Sequence, residues 1–413
     1  MKLLHCADLH IDSPMVGLTR YEGAPVERMR SATRRAVENL VQLALDRGVD
    51  VVLVGGDIFD GRWKDANTGL WWNRQLGRLV DSGIEVFVVH GNHDADSVIT
   101  QRIQPPPGVH VFGVDGPSTV VSDDLPLAVH GQSYATAATT TDLAAGYPVP
   151  VQGVVNVGLL HTSLDGREGH AHYAPCTPGA LAAKGYALWA LGHVHAREHL
   201  EVDGSHLLFP GNTQGRHARE PGEKSVSIID TDGEAVRSIE HVPVDVVRWA
   251  RVMVDRGGLD DLDAMAAAVV DRVVDEWEQA GRPLAVRVEL AGDGPSPHIE
   301  HLRTQIVADL AHRSDGDIWL EKLAVRTSLL GEPPAISSEA IAAVARSVDA
   351  AATDDHAVAH LAELLSPLQQ RVGGALARMS DDEVPSSLTS PAVVRRYLPA
   401  ARERLVAHLE GRG

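Results

Sequence analysis

The feature that most constrains the fold is a series of short apolar segments, each ending in acidic, amide or imidazole side chains. The first is the opening run KLLHCADLH, the second ends in GD (56–57), and the third ends in GNHD (91–94). Helical patterns over 28–47 and 68–82 separate these segments. This alternation predicts a layered α/β domain. Because open α/β sheets build their sites at the carboxyl ends of strands, the polar residues mark a candidate site.

The alternation continues to about residue 247, and the pattern changes after it. Further strands of the first domain are predicted at 153–160, 186–191, 206–209 and 225–230, with a loop or short helix in 133–150. Beyond residue 247, the predicted elements are a helix at 259–279, a strand at 284–290, a helix at 298–312 and a strand at 318–327. A Gly-Glu-Pro-Pro linker at 331–334 then leads into apolar helices, the last with Ser390 as N-cap and Pro391 in its first turn. We therefore predict three domains: a layered α/β domain 1–247, a small α+β capping domain 248–330, and a helical C-terminal region 331–413.

Composition restricts the function classes. A net charge of -19 over 413 residues argues against a protein that coats nucleic acid through bulk electrostatics, although a local metal site or basic groove is compatible with it. The two cysteines form no disulfide framework. His5 and Asp8 interrupt the apolar run that a signal peptide needs, and no stretch reaches the roughly 18 apolar residues of a membrane span. These features predict a cytoplasmic protein without a membrane partner.

Five short motifs at predicted strand ends carry the candidate chemistry. In chain order they are Asp8-x-His10, Gly56-Asp57, GNHD at 91–94, His161, and Gly192-His193-x-His195. They supply oxygen and imidazole ligands without thiolates, which suits Mn, Mg, Fe or Zn in a hydrolytic site. Each motif alone has a plain structural explanation, such as a turn at GNHD or a solvated histidine. Their joint occurrence at strand ends favours a metal site.

The ligand set predicts a two-metal centre that hydrolyses a phosphodiester. Two ions about 3.5–4 Å apart neutralise the phosphate, provide hydroxide at neutral pH and stabilise the leaving oxygen. Asp57 is the predicted bridging ligand. The other predicted ligands are Asp8, His10 and His195 for one ion, and Asn92, His161 and His193 for the other. His93 is predicted to protonate the leaving oxygen or to hold the phosphate, with Asp94 orienting its ring.

The motif order resembles that of the calcineurin-like metallophosphoesterases, and the fuller wording resembles their DNA-repair exonuclease branch of SbcD and YhaO-type proteins. The residues that carry this resemblance are ADLHIDSP (7–14), YAPC (173–176), and FPGNTQGRH (209–217) followed by Glu220 and GEK (222–224). The match covers about the first 245 residues. In the smaller domain that follows, only the layout resembles the DNA-facing cap of the family.

The resemblance implies a binuclear nuclease that commonly uses manganese and works with an SbcC-like coiled-coil ATPase. Mg²⁺, Fe²⁺ and Zn²⁺ stay open as alternatives, as does a homodimer. In such systems, C-terminal helices of the nuclease dock on the ATPase. The helical region 331–413 is either such a docking element or a helical cap that completes the fold.

Several further residues have two interpretations each. Arg216 and His217 either contact the substrate phosphate or lie in a surface loop where Arg216 pairs with Glu220 or Glu223. His170 and His172 lie in a Gly-flanked loop and are not expected to bind metal. Trp63, Trp71 and Trp72 either form a base-stacking platform or pack the aromatic face of a helix on the sheet, and the second interpretation is favoured. Cys6 is expected to pack in the core, and Cys176 is not expected to be catalytic.

Three functions fit these observations. The leading hypothesis is a DNA exo- or endonuclease. The second is a small-substrate phosphatase or cyclic-nucleotide phosphodiesterase of the same fold, against which the loop 211–224 and the C-terminal additions favour a large substrate. The third is a non-catalytic DNA-end-binding scaffold, which has no need for His93.

Overall fold

A computed structural model describes residues 1–13, 25–60, 65–97, 103–164, 174–259, 261–292, 298–325, 339–376 and 387–409. The chain divides into two compact units, Met1–Arg326 and Thr327–Gly413. All the predicted site residues fall in the first unit.

Strands and helices alternate along much of the first unit. Its strands are β1 Lys2–Cys6, β2 Val51–Val54, β3 Glu85–Val88, β4 Val109–Val111, β5 Ser118–Val121, β6 Leu127–Gly131, β7 Val155–His161, β8 Leu188–Gly192, β9 Glu198–Val202, β10 Ser205–Phe209, β11 Ser225–Asp232, β12 Ala235–Pro243, β13 Arg248–Asp255, β14 Leu284–Ala291 and β15 Ile318–Val325. Its helices are α1 Val26–Arg47, α2 Ala66–Val80, α3 Asn92–Ala95, α4 Pro178–Ala182, α5 Leu262–Ala280 and α6 Ile299–Ser314. The segment predicted as a loop or short helix contains one 3₁₀ turn, Ala144–Gly146.

Two six-stranded sheets form the main part of this unit. The first has the strand order β12-β11-β1-β2-β3-β4, and the second has the order β5-β6-β7-β8-β10-β9. Strands β1 to β4 are parallel neighbours, and so are β6, β7 and β8. Parallel pairing places the carboxyl ends of β1, β2 and β3 side by side, and likewise those of β7 and β8.

The two sheets face each other across a buried core. Leu3 and Phe87 of the first sheet share this core with Val129 and Leu159 of the second. Helices α1 and α2 cover the outer face of the first sheet, and α4 lies on the outer face of the second. The result is four layers, and it confirms the predicted layered α/β sandwich.

Helices α1 and α2 pack as their apolar patterns predict. In α1, Val37, Leu40 and Ala44 recur every three or four residues and are buried against the first sheet. In α2, Trp71 and Trp72 are 8% and 5% exposed and belong to the same core. These tryptophans therefore pack on the sheet, as expected, whereas Trp63 lies outside the described residues.

A third sheet, β13-β14-β15, is parallel throughout. Helices α5 and α6 connect its strands and bury one face of the sheet. On the opposite side, Trp249 and Trp319 share a core cluster with Met29 of α1. The expected small α+β domain therefore contains one more strand, β13, and alternates strand and helix. The exposed Arg251 interrupts the apolar pattern of β13, which explains why the sequence did not predict this strand.

The second unit is helical in its described part. Its helices are α7 Glu339–Thr353, α8 Asp355–Leu364, α9 Ser366–Leu376 and α10 Pro391–Leu409. Val358, Ala362 and Val394 form its buried cluster. Helix α10 begins at Pro391, directly after the predicted N-cap. The linker 331–334 lies outside the described residues, and the three domain boundaries stay predictions.

Candidate metal centre

The predicted site residues follow strand ends in both six-stranded sheets. Those that follow β1, β2 and β3 of the first sheet are Asp8, His10, Asp57, Asn92 and His93. Those that end or follow β7 and β8 of the second sheet are His161, His193 and His195. The two sets meet where Nδ1 of His161 lies 2.9 Å from the carbonyl oxygen of Gly55. The candidate site therefore depends on both sheets.

Two glycines allow the ligand-bearing loops to approach each other this closely. A Cβ on Gly192 would overlap the carbonyl oxygen of Gly55, and a Cβ on Gly91 would overlap Oδ1 of Asp57. A side chain at either position would push apart two segments that carry predicted ligands. The glycines in these motifs therefore have a packing role.

Four predicted ligands have left-handed backbone conformations. Their φ angles are 52° at Asp8, 42° at His10, 51° at Asp57 and 101° at His193. Such angles are uncommon outside glycine, and each costs about 1–3 kcal/mol. Backbone hydrogen bonds hold two of these residues, since the N–H of Asp8 donates to Gly56 and that of His10 donates to Asp57, both at 3.0 Å. Strain concentrated on these positions supports a functional site.

Asp8, His10 and His195 form the first group of candidate ligands. One donor atom from each of them lies within 4.8 Å of the others. Nε2 of His195 is 3.2 Å from Nε2 of His10 and 3.8 Å from Oδ1 of Asp8. The carboxylate of Asp8 also accepts the backbone N–H of His193 at 3.1 Å, which holds it against the second sheet. This grouping is the one predicted for the first metal ion.

Asp57, His161 and His193 form the second group, again with donor atoms within 4.8 Å. Nε2 of His161 is 3.0 Å from Oδ1 of Asn92, which brings the predicted amide ligand to the same place. The rings of His161 and His193 meet edge to face with centroids 5.2 Å apart. The structure thus brings together the residues predicted for the second ion.

Asp57 lies between the two groups. Its Oδ2 is 3.5 Å from Nε2 of His161 and 4.0 Å from Nε2 of His10. Its Oδ1 accepts the backbone N–H of His93 at 3.0 Å, which fixes the carboxylate. A carboxylate that reaches imidazoles of both groups has the position that a bridging ligand requires.

The protonation states of the histidines fit divalent ions. Nδ1 of His161 donates to the carbonyl of Gly55, so its Nε2 carries the lone pair. Burial lowers the pKa of His161 to about 4, which keeps the ring neutral. Nδ1 of His195 donates to Glu220 at 2.7 Å, which likewise leaves the lone pair on Nε2, facing the ring of His10. Neutral imidazoles with free Nε2 lone pairs are the usual histidine ligands.

The buried carboxylates of the site also fit the binding of divalent ions. Asp8 and Asp57 are each 1% exposed. Burial, followed by the charge of Asp57, raises the pKa of Asp8 well above its ordinary value. Two buried carboxylates at one place disfavour their own ionised forms, and bound divalent cations would reverse that effect. The donor set therefore fits a pair of divalent metal ions.

Asp60 contacts His93, a contact that the sequence did not predict. Oδ1 of Asp60 lies 3.1 Å from Nδ1 of His93 and 3.6 Å from Nδ1 of His10. Burial alone lowers the pKa of His93, but the hydrogen bond to Asp60 and the charges of Asp57 and Asp60 outweigh it, and the pKa rises to about 9. The His93 side chain is 39% exposed. The ring therefore favours its protonated form, and it is exposed to solvent beside the candidate ligands.

The prediction that Asp94 orients His93 is wrong. The carboxylate of Asp94 accepts the backbone N–H groups of Ile58, Phe59 and Gly91, each at 3.0 Å. Consecutive residues of a helix do not face each other, so Asp94 cannot turn toward the ring of His93 within α3. Instead, Asp94 ties the loop after β2 to the loop after β3.

Arg216 and His217, the predicted substrate contacts, lie beside Glu220. Nη2 of Arg216 is 3.3 Å from Oε1 of Glu220 and 3.4 Å from Nδ1 of His195. Nε2 of His217 is 3.8 Å from the same Glu220 oxygen. The pairing of Arg216 with Glu220 is the alternative that the sequence left open. Contact with substrate stays a prediction for both residues.

Two residues of this site were missed or undervalued at the level of sequence. Asp60 ends the run GDIFD, in which only Asp57 was taken as functional. Glu220 was named as part of the family resemblance and as a partner of Arg216, but not as the carboxylate that accepts a hydrogen bond from the His195 ring. Cys6 is buried in the core of the first sheet, as expected. His170 and His172 lie outside the described residues.

Comparison with known proteins agrees with the fold. Residues 1–197 match the family model of calcineurin-like phosphoesterases, and residues 249–328 match the middle domain of the metallophosphoesterase YhaO. The chain belongs to the calcineurin-like metallophosphoesterases. It is therefore a member of a family of phosphoester hydrolases that use divalent metal ions.

Several known proteins are similar to this chain. The uncharacterized metallophosphoesterase YhaO of Bacillus subtilis is 32% identical over 299 residues, which is 71% of this chain and 72% of that protein. The DNA double-strand break repair protein Mre11 of Methanopyrus kandleri is 22% identical over 75% of this chain and 69% of its own. The SbcD component of the nuclease SbcCD of Rhodobacter capsulatus is 29% identical over shorter stretches, 27% of each chain. Within the described residues, no helix is long and apolar enough to cross a membrane.

Proposed function

We propose that this phosphoesterase is a metal-dependent DNA exo- or endonuclease that hydrolyses phosphodiester bonds in DNA repair. The observation that carries the proposal is the arrangement of Asp8, His10 and His195 on one side of Asp57, and Asn92, His161 and His193 on the other. These residues are the proposed metal ligands, with Asp57 as the bridge and Mn²⁺ as the proposed native ion.

The residues around the ligands fit phosphodiester hydrolysis. When bound, two divalent ions supply charge neutralisation at the phosphate and a nucleophile at neutral pH. His93 holds a proton at its ring, and Asp60 fixes that ring through Nδ1, so Nε2 is left to face substrate. Protonation of the leaving oxygen by His93 is needed for an alkoxide leaving group such as a sugar oxygen. The site therefore has an acid suited to an unactivated diester.

Support for DNA as the substrate comes from outside the metal ligands. Two of the similar proteins carry names of DNA-break repair and of a nuclease, Mre11 and SbcCD. Arg216 is next to His195, where a guanidinium could meet a phosphate oxygen of a bound strand. The chain also has a third sheet and a helical unit, which the hydrolysis of a small phosphate ester does not require.

The similarity to these proteins also supports the proposal that this chain works with a partner protein. The name of the similar protein from Rhodobacter capsulatus describes one component of a nuclease that has several. We propose an SbcC-like coiled-coil ATPase as the partner, the cytoplasm as the compartment, and 1–247, 248–330 and 331–413 as the domain boundaries. A homodimer is the alternative assembly.

A nuclease assay tests the proposal. Labelled single- and double-stranded DNA are incubated with the purified protein and Mn²⁺, Mg²⁺ or a chelator. We expect cleavage of DNA with Mn²⁺ and none with the chelator. Cyclic nucleotides and small phosphate monoesters are assayed in parallel. Turnover of these alone would assign the chain to the phosphatase or cyclic-nucleotide alternative, and binding of DNA ends without any turnover would assign it to the scaffold alternative.

A further inference from the structure

The buried carboxylate of Glu220 accepts hydrogen bonds from His195 and from several other donors. Its Oε1 accepts from Nδ1 of His195 at 2.7 Å and lies 3.3 Å from Nη2 of Arg216. Its Oε2 accepts from Nδ2 of Asn212 at 3.0 Å and from the backbone N–H of Arg216 at 2.8 Å. Glu220 is only 6% exposed. Both of its oxygens are therefore occupied by donors, one of which is the imidazole of a proposed metal ligand.

The bond from His195 to Glu220 decides which nitrogen of the ring can bind metal. A proton on Nδ1 leaves the lone pair on Nε2, the atom that faces His10 and Asp8. The opposite tautomer would place a proton on Nε2 and block it. An outer-shell carboxylate of this kind orients a ligand histidine and raises its basicity.

The loop that carries Glu220 is fastened to the third sheet. The indole N–H of Trp249, in β13, donates to the carbonyl of Gly215 at 3.0 Å. The N–H of Gly222 donates to the carbonyl of Trp249 at 2.8 Å, so Trp249 holds the loop on both sides of Glu220. A side chain on Gly215 would press on the ring of Trp249 at 3.0 Å, which shows how closely they pack.

A second fastening comes from Gln214, which is 1% exposed. Its side-chain amide donates to the carbonyl of Val247 at 2.6 Å, and its carbonyl accepts the N–H of Val246 at 2.9 Å. These two residues directly precede β13. The third sheet and the Glu220 loop therefore form one continuous hydrogen-bonded connection that ends at His195.

We propose that Glu220 is the positioning residue for His195, and that the docking of the third sheet through Trp249 holds Glu220 in place. One of the two metal sites, the site that contains His195, then depends on a sheet that supplies no ligand to it. This inference rests on the proposed two-metal site. It predicts that a displacement of the third sheet, by substrate or by a partner, changes the affinity of that one site.

Glu220→Gln tests the first step. An amide can accept at only one of its two positions. In one orientation, the glutamine oxygen accepts from His195, and the glutamine NH₂ then faces the donor groups of Asn212 and Arg216. In the opposite orientation, the glutamine NH₂ faces Nδ1 of His195 and favours the tautomer that carries its proton on Nε2. Glu223→Gln is the matched control, since Glu223 is on the same loop but pairs with Arg197 and Arg248 instead.

The measurement is calorimetric titration of the metal-free protein with Mn²⁺, together with elemental analysis and the thermal midpoint of the metal-free protein. We expect Glu220→Gln to weaken one of two Mn²⁺ sites about 10- to 100-fold and to leave the other near the wild-type value. Glu223→Gln should bind both ions as the wild type does. Wild-type affinity at both sites in a folded Glu220→Gln protein would overturn the positioning role, and so would equal weakening in the control.

Trp249→Phe tests whether the docking of the third sheet holds Glu220 in place. It also provides an independent test of the proposal if Glu220→Gln does not fold. It removes the indole N–H but keeps an aromatic ring in the cluster. We expect a loss of roughly 2- to 10-fold, confined to the same Mn²⁺ site, which is the range of one neutral hydrogen bond. Trp277→Phe, on the helix side of the third sheet, is the control and should leave both sites unchanged. A lower thermal midpoint with both affinities intact in Trp249→Phe would overturn the connection.

The failure of the proposed function is recognised separately. Absence of Mn²⁺ binding to the wild-type protein would remove both the proposed function and the inference. Absence of DNA turnover with two ions bound would remove the proposed function alone. Failure of the inference alone would leave the wild-type protein with two bound ions and full activity.

Discussion

Asp57 is the side chain on which both proposed metal sites depend. It reaches His161 and His10 from one carboxylate oxygen, at 3.5 Å and 4.0 Å. We expect Asp57→Asn to abolish phosphodiester hydrolysis and to lower the occupancy of both ions, because an amide cannot bridge them as a carboxylate does. Elemental analysis of the purified variant measures this. Asp46→Asn, on the exposed part of α1, is the control, and full two-metal occupancy in Asp57→Asn would refute the bridging role.

His93 allows acid catalysis to be separated from metal binding. We expect His93→Leu to keep two metal ions, since Asn92 rather than His93 faces the second ligand group. Its rate on DNA should fall by about 10²–10⁴, the usual contribution of a positioned acid. The loss should be smaller for a nitrophenyl diester, whose leaving oxygen departs without a proton. Metal loss in this variant would overturn the assignment, and an equal loss on both substrates would leave phosphate binding as its role.

Asp60 should act through the same histidine. The Asp60–His93 contact of 3.1 Å predicts that Asp60→Asn also slows DNA hydrolysis more than nitrophenyl diester hydrolysis. In the double variant Asp60→Asn/His93→Leu, the loss should not exceed that of His93→Leu alone, because residues that act as one unit are not additive. Rates of the four proteins on one substrate give this cycle. Full additivity would show that Asp60 works elsewhere, for example through His10.

At the residue scale, the sequence predicts donor atoms better than it predicts their neighbours. Side chains that follow parallel strands must gather at one edge, so the motifs at 8–10, 56–57 and 91–94 could be placed together from the strand pattern alone. Which carboxylate faces His93 depends on the direction of a single loop turn. Asp94 is adjacent in sequence but points at backbone N–H groups, and Asp60 arrives from another loop.

At the scale of the secondary-structure elements, the strand ends that carry a glycine are the positions most sensitive to substitution. Gly192 ends β8 against Gly55, and a methyl group there meets backbone that has no rotamer to change. We expect Gly192→Ala to lower the thermal midpoint and to weaken metal binding, because β8 would be pushed from the end of β2. Gly77→Ala in α2, where a Cβ meets nothing within 4 Å, is the control and should be neutral or stabilising by about 0.5–1 kcal/mol. Equal behaviour of the two variants would contradict the packing argument.

The helices were predicted more completely than the strands. Helix α1 was expected over 28–47 and spans Val26–Arg47, because its apolar stripe is long and uninterrupted. Strands β4 and β5 were not predicted, since each has three or four residues, most of them half-buried or exposed. Strand order was beyond the sequence as well. The pairing of β11 with β1 joins segments more than 200 residues apart, and no local pattern reports it.

At the scale of the whole molecule, the site residues lie within Met1–Arg326, whereas the helical unit supplies none of them. We expect a chain truncated after Arg326 to keep metal-dependent hydrolysis of a small chromogenic diester. Loss of turnover in a truncated chain that is folded by circular dichroism would show that the helical unit belongs to the catalytic unit. If that unit binds an SbcC-like ATPase, the truncated chain should also lose co-purification with it, and the full-length chain is the control for both measurements.

The division of the proposed ligands between two sheets has a consequence for how the chain folds during synthesis. During synthesis, the segment up to Asn92 emerges with Asp8, His10 and Asp57 but without the histidines that complete either group. The missing imidazoles follow only with β7 and β8, and the partner of His195 follows later still, at Glu220. Pairing of β11 with β1 then closes the first sheet across its longest separation in sequence, a slow type of contact to form. A chain interrupted before the end of β8 therefore lacks His193 and His195, one proposed ligand from each group, and we expect metal binding and hydrolysis only after the second sheet has formed.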